Sequence, residues 1–436
     1  MTHHVILGAG PAGVIAAETL RKHAPTDPIT LVGDEAGAPY SRMAIPYLLI
    51  GNIDERGTWL RKDESHFQKL GITQVRARAE AVDVTARQVR LDNGQTLPYD
   101  RLLIATGSSP VRPPIPGIDS PQVHPCWTLD DARAILALAK PGARVVQMGA
   151  GFIGCIIMEA LAARGVQLSV VEMGDRMVPR MMGPVAGGMI RDWCESKGVR
   201  VFTGAKVEAI VPGGGAHDAS DAALTVRLST GEKLPADLVI SATGVRPNIG
   251  FLKDSAVRCL VGVLTDEHLQ TSVAGIYAAG DCAEAFDKVS GQTIVSAIQP
   301  NAAEQARVAA LNMAGLVTSL RGVTQINVLD TLGLISTSFG NWQGVPGGEG
   351  VALTDRAPDG SGRHLSLQFQ GDRLIGCNSV GWTQHVGAMR GLVEGQVALG
   401  DWKARLLEDP TCLMQAYLAT AQQQGQWSGA ADTRRR

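Results

Sequence analysis

The sequence of 436 residues contains no run approaching the ~18 consecutive apolar residues that a membrane helix needs, which argues against a helical span. It lacks a basic segment leading into a long apolar stretch and cleavage site, so the expected compartment is the cytoplasm. No charge of one sign dominates. Forty basic residues face 42 acidic ones, a balance unlike that of a dedicated nucleic-acid or membrane-surface binder. Paired cysteines are also absent. The seven cysteines, at 126, 155, 194, 259, 282, 377 and 412, show no CxxC or zinc-ligand spacing, and their odd number and irregular spread argue against a disulfide framework. Most are expected to be reduced, small core residues. With 45% hydrophobic and 19% charged residues, most of the chain should fold.

Glycine is what the sequence has in excess, at 51 residues. Two clusters share one pattern. HVILGAGPAGVIAAETL places Gly8, Gly10 and Gly13 in a GxGxxG spacing, with Pro11 and Ala12 between them. RVVQMGAGFIGCIIMEAL repeats it with Gly149, Gly151 and Gly154, around Phe152 and Ile153. Each follows an apolar strand and opens a helix, the fingerprint of a dinucleotide-binding βαβ unit. The first glycine makes the tight turn, the second lets a pyrophosphate approach the backbone, and the third lets helix and strand pack closely. The helix N-terminus then offers free N–H groups to the phosphates. About twenty residues on, an acid suited to ribose hydroxyls follows each turn: Asp34 or Glu35 after the first, Glu172 after the second.

Two strands ending in Ala-Thr-Gly complete these units, one with Ala105, Thr106 and Gly107, the other with Gly244. GIYAAGDCAE then reads as a strand, a turn at Gly280, and Asp281 at the start of a helix, where it could serve a cofactor or simply cap. QPNAAEQARVAALNMAG should form a helix beginning near Gln299 and Asn301. From about 323 the pattern becomes strand-like alternation, followed by helices at HVGAMRGLVEGQVAL and PTCLMQAYLATAQQ. The polar tail 426–436 is expected to be disordered.

The order GAGPAG, ATG, GAGFIG, ATG, YAAGD resembles the pyridine nucleotide–disulfide oxidoreductase superfamily over nearly the whole chain. The resemblance implies an α/β fold. Two interleaved Rossmann-like domains would bind FAD (1–112 and 246–322) and NAD (113–245). An α+β interface domain (323–425) would make a homodimer. It implies FAD at the first turn and at Asp281, and a nicotinamide dinucleotide at the second. Glu172 favours NADH, because a carboxylate repels the 2′-phosphate of NADPH. Gln299 and Asn301 stand where relatives pass close to the flavin ring. Trp382 and His385 correspond to the interface-domain region that reaches the flavin of a second subunit in dimeric relatives, or else pack an interface.

Three positions depart from the family's pattern. In PYSRMAIPYLLIG, Met43 occupies the place of the single redox cysteine, and a thioether forms neither thiolate nor sulfenic acid. In DPTCLMQAY, Asp409 replaces the acid–base histidine of an HPT-like segment. Ile156 stands where relatives carry a glutamate near the nicotinamide, with Glu159 one helical turn later. Together these resemble the cysteine-less branch: ferredoxin and rubredoxin reductases and the flavin part of nitrite reductase. PYSRM also resembles their PY-x-R stretch. Arg42 is read as a charge near the flavin or its phosphates, or as a surface ion pair. Tyr47 is read as a flavin contact or a core aromatic. The expected activity is hydride transfer from NADH to FAD, then electron transfer to a ferredoxin- or rubredoxin-like protein. The alternatives are an NADH oxidase and a flavin-binding subunit of a larger dehydrogenase or electron-transfer complex. No metal, nucleic acid or membrane is expected.

Overall fold

The apolar run His4–Leu7 is buried at every position and pairs in parallel with Ile29–Gly33 on one side and Arg101–Ile104 on the other. Ile276–Ala278 and Ile72–Arg76 extend this to a five-stranded parallel sheet. Burial on both faces explains why its inner strands read as apolar runs without alternation, whereas the edge strand Ile72–Arg76 is largely exposed. The computed structural model describes residues 1–213, 221–356 and 362–424. The tail 426–436, read from the sequence as disordered, lies outside the described residues.

The chain forms two compact units. The first comprises 1–171 and 205–324. Beside the sheet above, it contains a second parallel set in the order Gln167–Glu172, Arg144–Met148, Leu238–Ser241, Val123–His124, of which residues 167–171 lie in this unit. Helix Pro11–His23 packs on helix Gln299–Met313, and Ala16, Ala17, Ala306 and Ala309 give these helices small, fully buried side chains. Short antiparallel strands Ser108–Pro110 and Val245–Pro247 connect the two parallel sheets. Arg164 joins three helices. It donates to the carbonyl oxygens of Leu49, Leu136 and Ala139, all at helix C-terminal ends, where a cation is favoured.

The segment after Asp281 corrects the sequence reading. A strand, Ala283–Phe286, follows in place of a helix. Ala283 closes a turn by donating to the Gly280 carbonyl at 2.9 Å. The strand then pairs with Val263–Leu264 and Thr293–Val295, and Glu284 accepts from the Gly262 amide. Tertiary pairing overrides the helical preference of Ala-Glu-Ala. Asp281 is therefore not a helix cap.

The second unit comprises 172–204 and the residues from 325 onward. Its antiparallel sheet runs in the order Ile326–Thr331, Leu334–Gly340, Arg373–Val380, Gly362–Gln370, Glu349–Arg356. Helices Val386–Gly395, Trp402–Glu408 and Leu413–Gln424 complete it, together with Pro184–Ser196 from the earlier segment. Residues 172–204 thus pack with the C-terminal part of the chain, although they lie within 113–245 in sequence.

Candidate active site

The two glycine turns have nearly the same backbone geometry. Gly8 is left-handed (φ +110°), and a Cβ there would lie 2.1 Å from the Ala105 carbonyl oxygen. Gly149 (φ +97°) would clash in the same way with Ala242, at 2.4 Å. The alanine of each Ala-Thr-Gly strand is therefore the surface against which the turn closes. A Cβ on Gly13 would meet the Gly8 carbonyl oxygen at 1.8 Å, and one on Gly154 would meet that of Gly149 at 2.5 Å. The middle glycines differ. Gly10 (φ −77°, ψ −172°) and Gly151 (φ −76°, ψ −171°) have ordinary extended geometry, and a Cβ on either meets no protein atom within 4 Å. No described protein atom therefore requires glycine at either position. Neither following helix has a side-chain cap at its start, and the first opens with Pro11, so backbone amides face the turn.

A cavity of about 480 Å³ extends from the first turn, entirely within the first unit. Its lining includes Gly33, Asp34, Glu35 and Gln74–Arg76. Gly8, Gly10, Pro11, Ala12, Ala105, Thr106, Gly107, Gly280 and Asp281 also line it. So do Met43, Ile45, Pro46, Gln299 and, from the second turn's helix, Phe152, Ile153, Ile156 and Ile157. Phe152 and Ile153, read with the second dinucleotide, thus present side chains to the first cavity.

A polar frame follows one wall. Arg42 donates to Glu35 at 2.6 Å and to the Trp127 carbonyl at 2.6 Å, and its guanidinium lies 5.2 Å from the Trp127 ring centroid. The Tyr40 hydroxyl also donates to Glu35. The Trp127 indole donates to the Ser108 carbonyl at 3.0 Å, and the Ser108 hydroxyl donates to Asp281 at 2.9 Å. Burial pushes the Asp281 carboxyl above the usual carboxylate range, against the opposing pull of Ser108 and Arg42. Asp34 instead accepts from Arg78, at 2.7 and 2.9 Å. Behind Gly280, Gln305 accepts that residue's amide, while its own buried Nε2 has no partner.

Other residues singled out by the sequence lie elsewhere. Tyr47 is 56% exposed and lines, with Met43, Gln299 and Pro300, a separate shallow groove. Asn301 donates to the Ser296 hydroxyl at 2.6 Å and to the Thr324 carbonyl. Gly244 (φ +109°) shapes the connection into Val245–Pro247, where its carbonyl accepts from Val111. Glu172 accepts from the Gly174 amide at 2.7 Å. Sequence reasoning missed Tyr40, Ser108, Cys126 and Trp127, which the fold brings to the cavity from three distant segments. Burial pushes the Cys126 thiol up to about 12, with Asp131 adding to the effect, so it stays protonated.

The cavity, lined by the open glycine turn, by polar side chains and by apolar ones, suits a flavin dinucleotide. Among the described residues no three potential metal ligands gather, and no helix is long and apolar enough to cross a membrane.

A family model for pyridine nucleotide–disulphide oxidoreductases matches residues 2–309. The chain belongs to this family. Membership makes it an oxidoreductase that uses FAD and NADH. Within the family it is 32% identical, over 94% of its length and 95% of the relative's, to the NADH-dependent phenylglyoxylate dehydrogenase subunit epsilon of Aromatoleum evansii. It is 30% identical to an NADH oxidase of Methanocaldococcus jannaschii, covering 86% and 87% of the two chains. It is also 30% identical to a rubredoxin-NAD(+) reductase of Pseudomonas putida, covering 72% and 80%.

Proposed function

We propose that the chain is an FAD-dependent NADH:acceptor oxidoreductase that passes electrons to a ferredoxin- or rubredoxin-like protein without a redox-active cysteine. The observation that carries this reading is the sulfur chemistry of the cavity. Of the two sulfur-bearing side chains that line it, Met43 offers only a thioether, and Cys126 is a buried, unpaired thiol. Bound flavin would supply the conversion between two-electron chemistry with NADH and one-electron chemistry with the partner.

The protein's part is positioning. The amides at the start of Pro11–His23 and the open face of Gly10 would take the pyrophosphate, and Glu35 or Asp34 the adenosine ribose. Asp281, oriented by Ser108, would bond the ribityl or pyrophosphate region. Phe152, Ile153, Ile156 and Ile157 would keep water from the ring. At the second turn, Gly151 would admit the nicotinamide dinucleotide, with Glu172 on its ribose selecting NADH over NADPH.

A second reading is a flavin-binding subunit of a larger dehydrogenase or electron-transfer complex. Ile156 supports it, as does the groove of Met43 and Tyr47, which no charged side chain lines. Redox partners that meet transiently are commonly steered by charge, whereas permanent interfaces are more apolar. The relative from Aromatoleum evansii is itself a subunit. An NADH oxidase is the remaining alternative. A homodimer joined through residues from 323 on, and a cytoplasmic location suited to seven free cysteines, complete the proposal.

Anaerobic mixing with NADH and with NADPH tests the reading. The flavin's visible absorption band should bleach with NADH and more slowly with NADPH, and no bleaching with either would refute hydride transfer. Stable co-purification with another subunit would favour the second reading, and fast oxygen turnover without a partner would favour the oxidase.

A further inference from the structure

Asparagine is depleted in strands, yet Asn378 occupies the central strand of the second unit's sheet, Arg373–Val380, opposite Ser338 and Ser366. It is 2% exposed. A buried amide in a strand needs partners, and besides the adjacent Cys377 carbonyl at 3.3 Å Asn378 finds two outside the sheet. Its Nδ2 donates to the Met181 carbonyl at 2.9 Å, and its Oδ1 accepts from the Gly183 amide at 3.0 Å. One side chain thereby holds both sides of Met182.

The residues it holds end the loop that leaves Glu172. Met177, Val178, Met181 and Met182 are buried, and the loop is tied along its length. Glu172 accepts from Gly174, Gly174 accepts from Gly204 at 2.7 Å, and Arg176 donates to the Met182 carbonyl at 2.8 Å. Val178 adopts a left-handed conformation (φ +49°) although it is β-branched and precedes Pro179. Both features oppose that geometry, which persists only where the surroundings over-determine it. A loop wound in this way needs an external clamp.

We infer that Asn378 is a positioning residue for the nicotinamide dinucleotide. By clamping residues 173–183 from the C-terminal sheet, it fixes Glu172 and Gly174 in the arrangement that receives the adenosine ribose. The inference rests on the proposed ribose role of Glu172. It adds that NADH affinity is set partly by a residue some 200 positions away in the chain, in the unit read as an interface domain.

The test compares holoenzyme variants Asn378→Ala, Glu172→Gln and Trp193→Phe. Trp193 is the control, since its indole ties helix Pro184–Ser196 to the Thr331 and Leu332 carbonyls without touching the loop's own bonds. The readouts are the NADH dissociation constant from nucleotide fluorescence, the limiting rate of flavin bleaching at saturating NADH, and hydrogen exchange of residues 173–183. Asn378→Ala should raise the dissociation constant about tenfold, the factor corresponding to 1.4 kcal/mol. It should also speed exchange in the loop and leave the limiting rate within about twofold. Trp193→Phe should lower the melting temperature without changing the dissociation constant. If Asn378→Ala does not fold, Asn378→Ser, which keeps one hydrogen-bonding group, should show the same effects at smaller size. Weakened binding in Glu172→Gln with unchanged binding in the Asn378 variant overturns the inference alone. So does an equal loss in the Asn378 and Trp193 variants. Unchanged binding in Glu172→Gln overturns the ribose reading and the inference with it.

Discussion

Arg42 and Glu35 form a 2.6 Å ion pair on the wall of the cavity at the first glycine turn. The pair is part of a larger arrangement, because the same guanidinium lies against the Trp127 ring and bonds its carbonyl. Planar, multi-point contact of this kind is specific to arginine. Arg42→Ala should lower FAD retention, because the cavity wall loses the group that joins Glu35 to Trp127. Arg42→Lys should not restore it. Flavin content after dialysis, against total protein, checks both.

The middle and third glycines of the turns should behave differently on substitution. Gly10→Ala and Gly151→Ala place a methyl where no protein atom stands, so both variants should fold with near-normal thermal stability. The first should lose FAD, and the second should keep FAD and bind NADH more weakly. Gly13→Ala drives a methyl into the Gly8 carbonyl and should fold poorly even before cofactor is considered. Melting temperature and flavin occupancy, measured together, separate these outcomes.

Met43 lines the cavity but is half exposed. If position 43 has no redox role, Met43→Ala should leave the rate of flavin bleaching by NADH within about twofold, as for most exposed positions. A large loss in stopped-flow measurements would contradict the cysteine-free mechanism.

His4 begins the first strand and is 1% exposed. Burial pushes its imidazole below the ordinary 6.5, and the hydrogen bond to Asp27 opposes this only in part. The fold therefore prefers neutral His4, while the unfolded chain takes up a proton more readily. The stabilisation is complete above pH 6.5 and is lost as pH falls from there through the lower folded-state value. Thermal midpoints measured from about pH 8 down to pH 5 should decline more steeply than for His4→Gln. His364 is shifted in the same direction by burial, then Arg356, and adds to the decline.

The turns, the strands that precede them and their helices were all legible in the sequence, because a backbone that must approach phosphate leaves few residue choices. Ala105 was legible as part of a motif, but not as the surface closing on Gly8. Asp281 was legible as part of a turn that lines the cavity, whereas the strand after it depends on pairing with residues 263 and 293, which local preference does not encode. Cys126 and Trp127 carry no signal in their own neighbourhood and matter only because the fold brings them to Ser108 and Arg42. Likewise, nothing around Glu172 indicates that its loop is held by Asn378.

Helix Phe152–Ala163 presents its first amides to the second glycine turn and its side chains Phe152, Ile153, Ile156 and Ile157 to the first cavity. The two proposed cofactor sites would thus share one helix. Whatever orders that helix at one site orders it at the other, and by thermodynamic reciprocity each ligand changes the affinity of its neighbour by the same factor. Protein stripped of FAD should thus be a poorer receptor for NADH, so that reductant is captured mainly by molecules already able to use it.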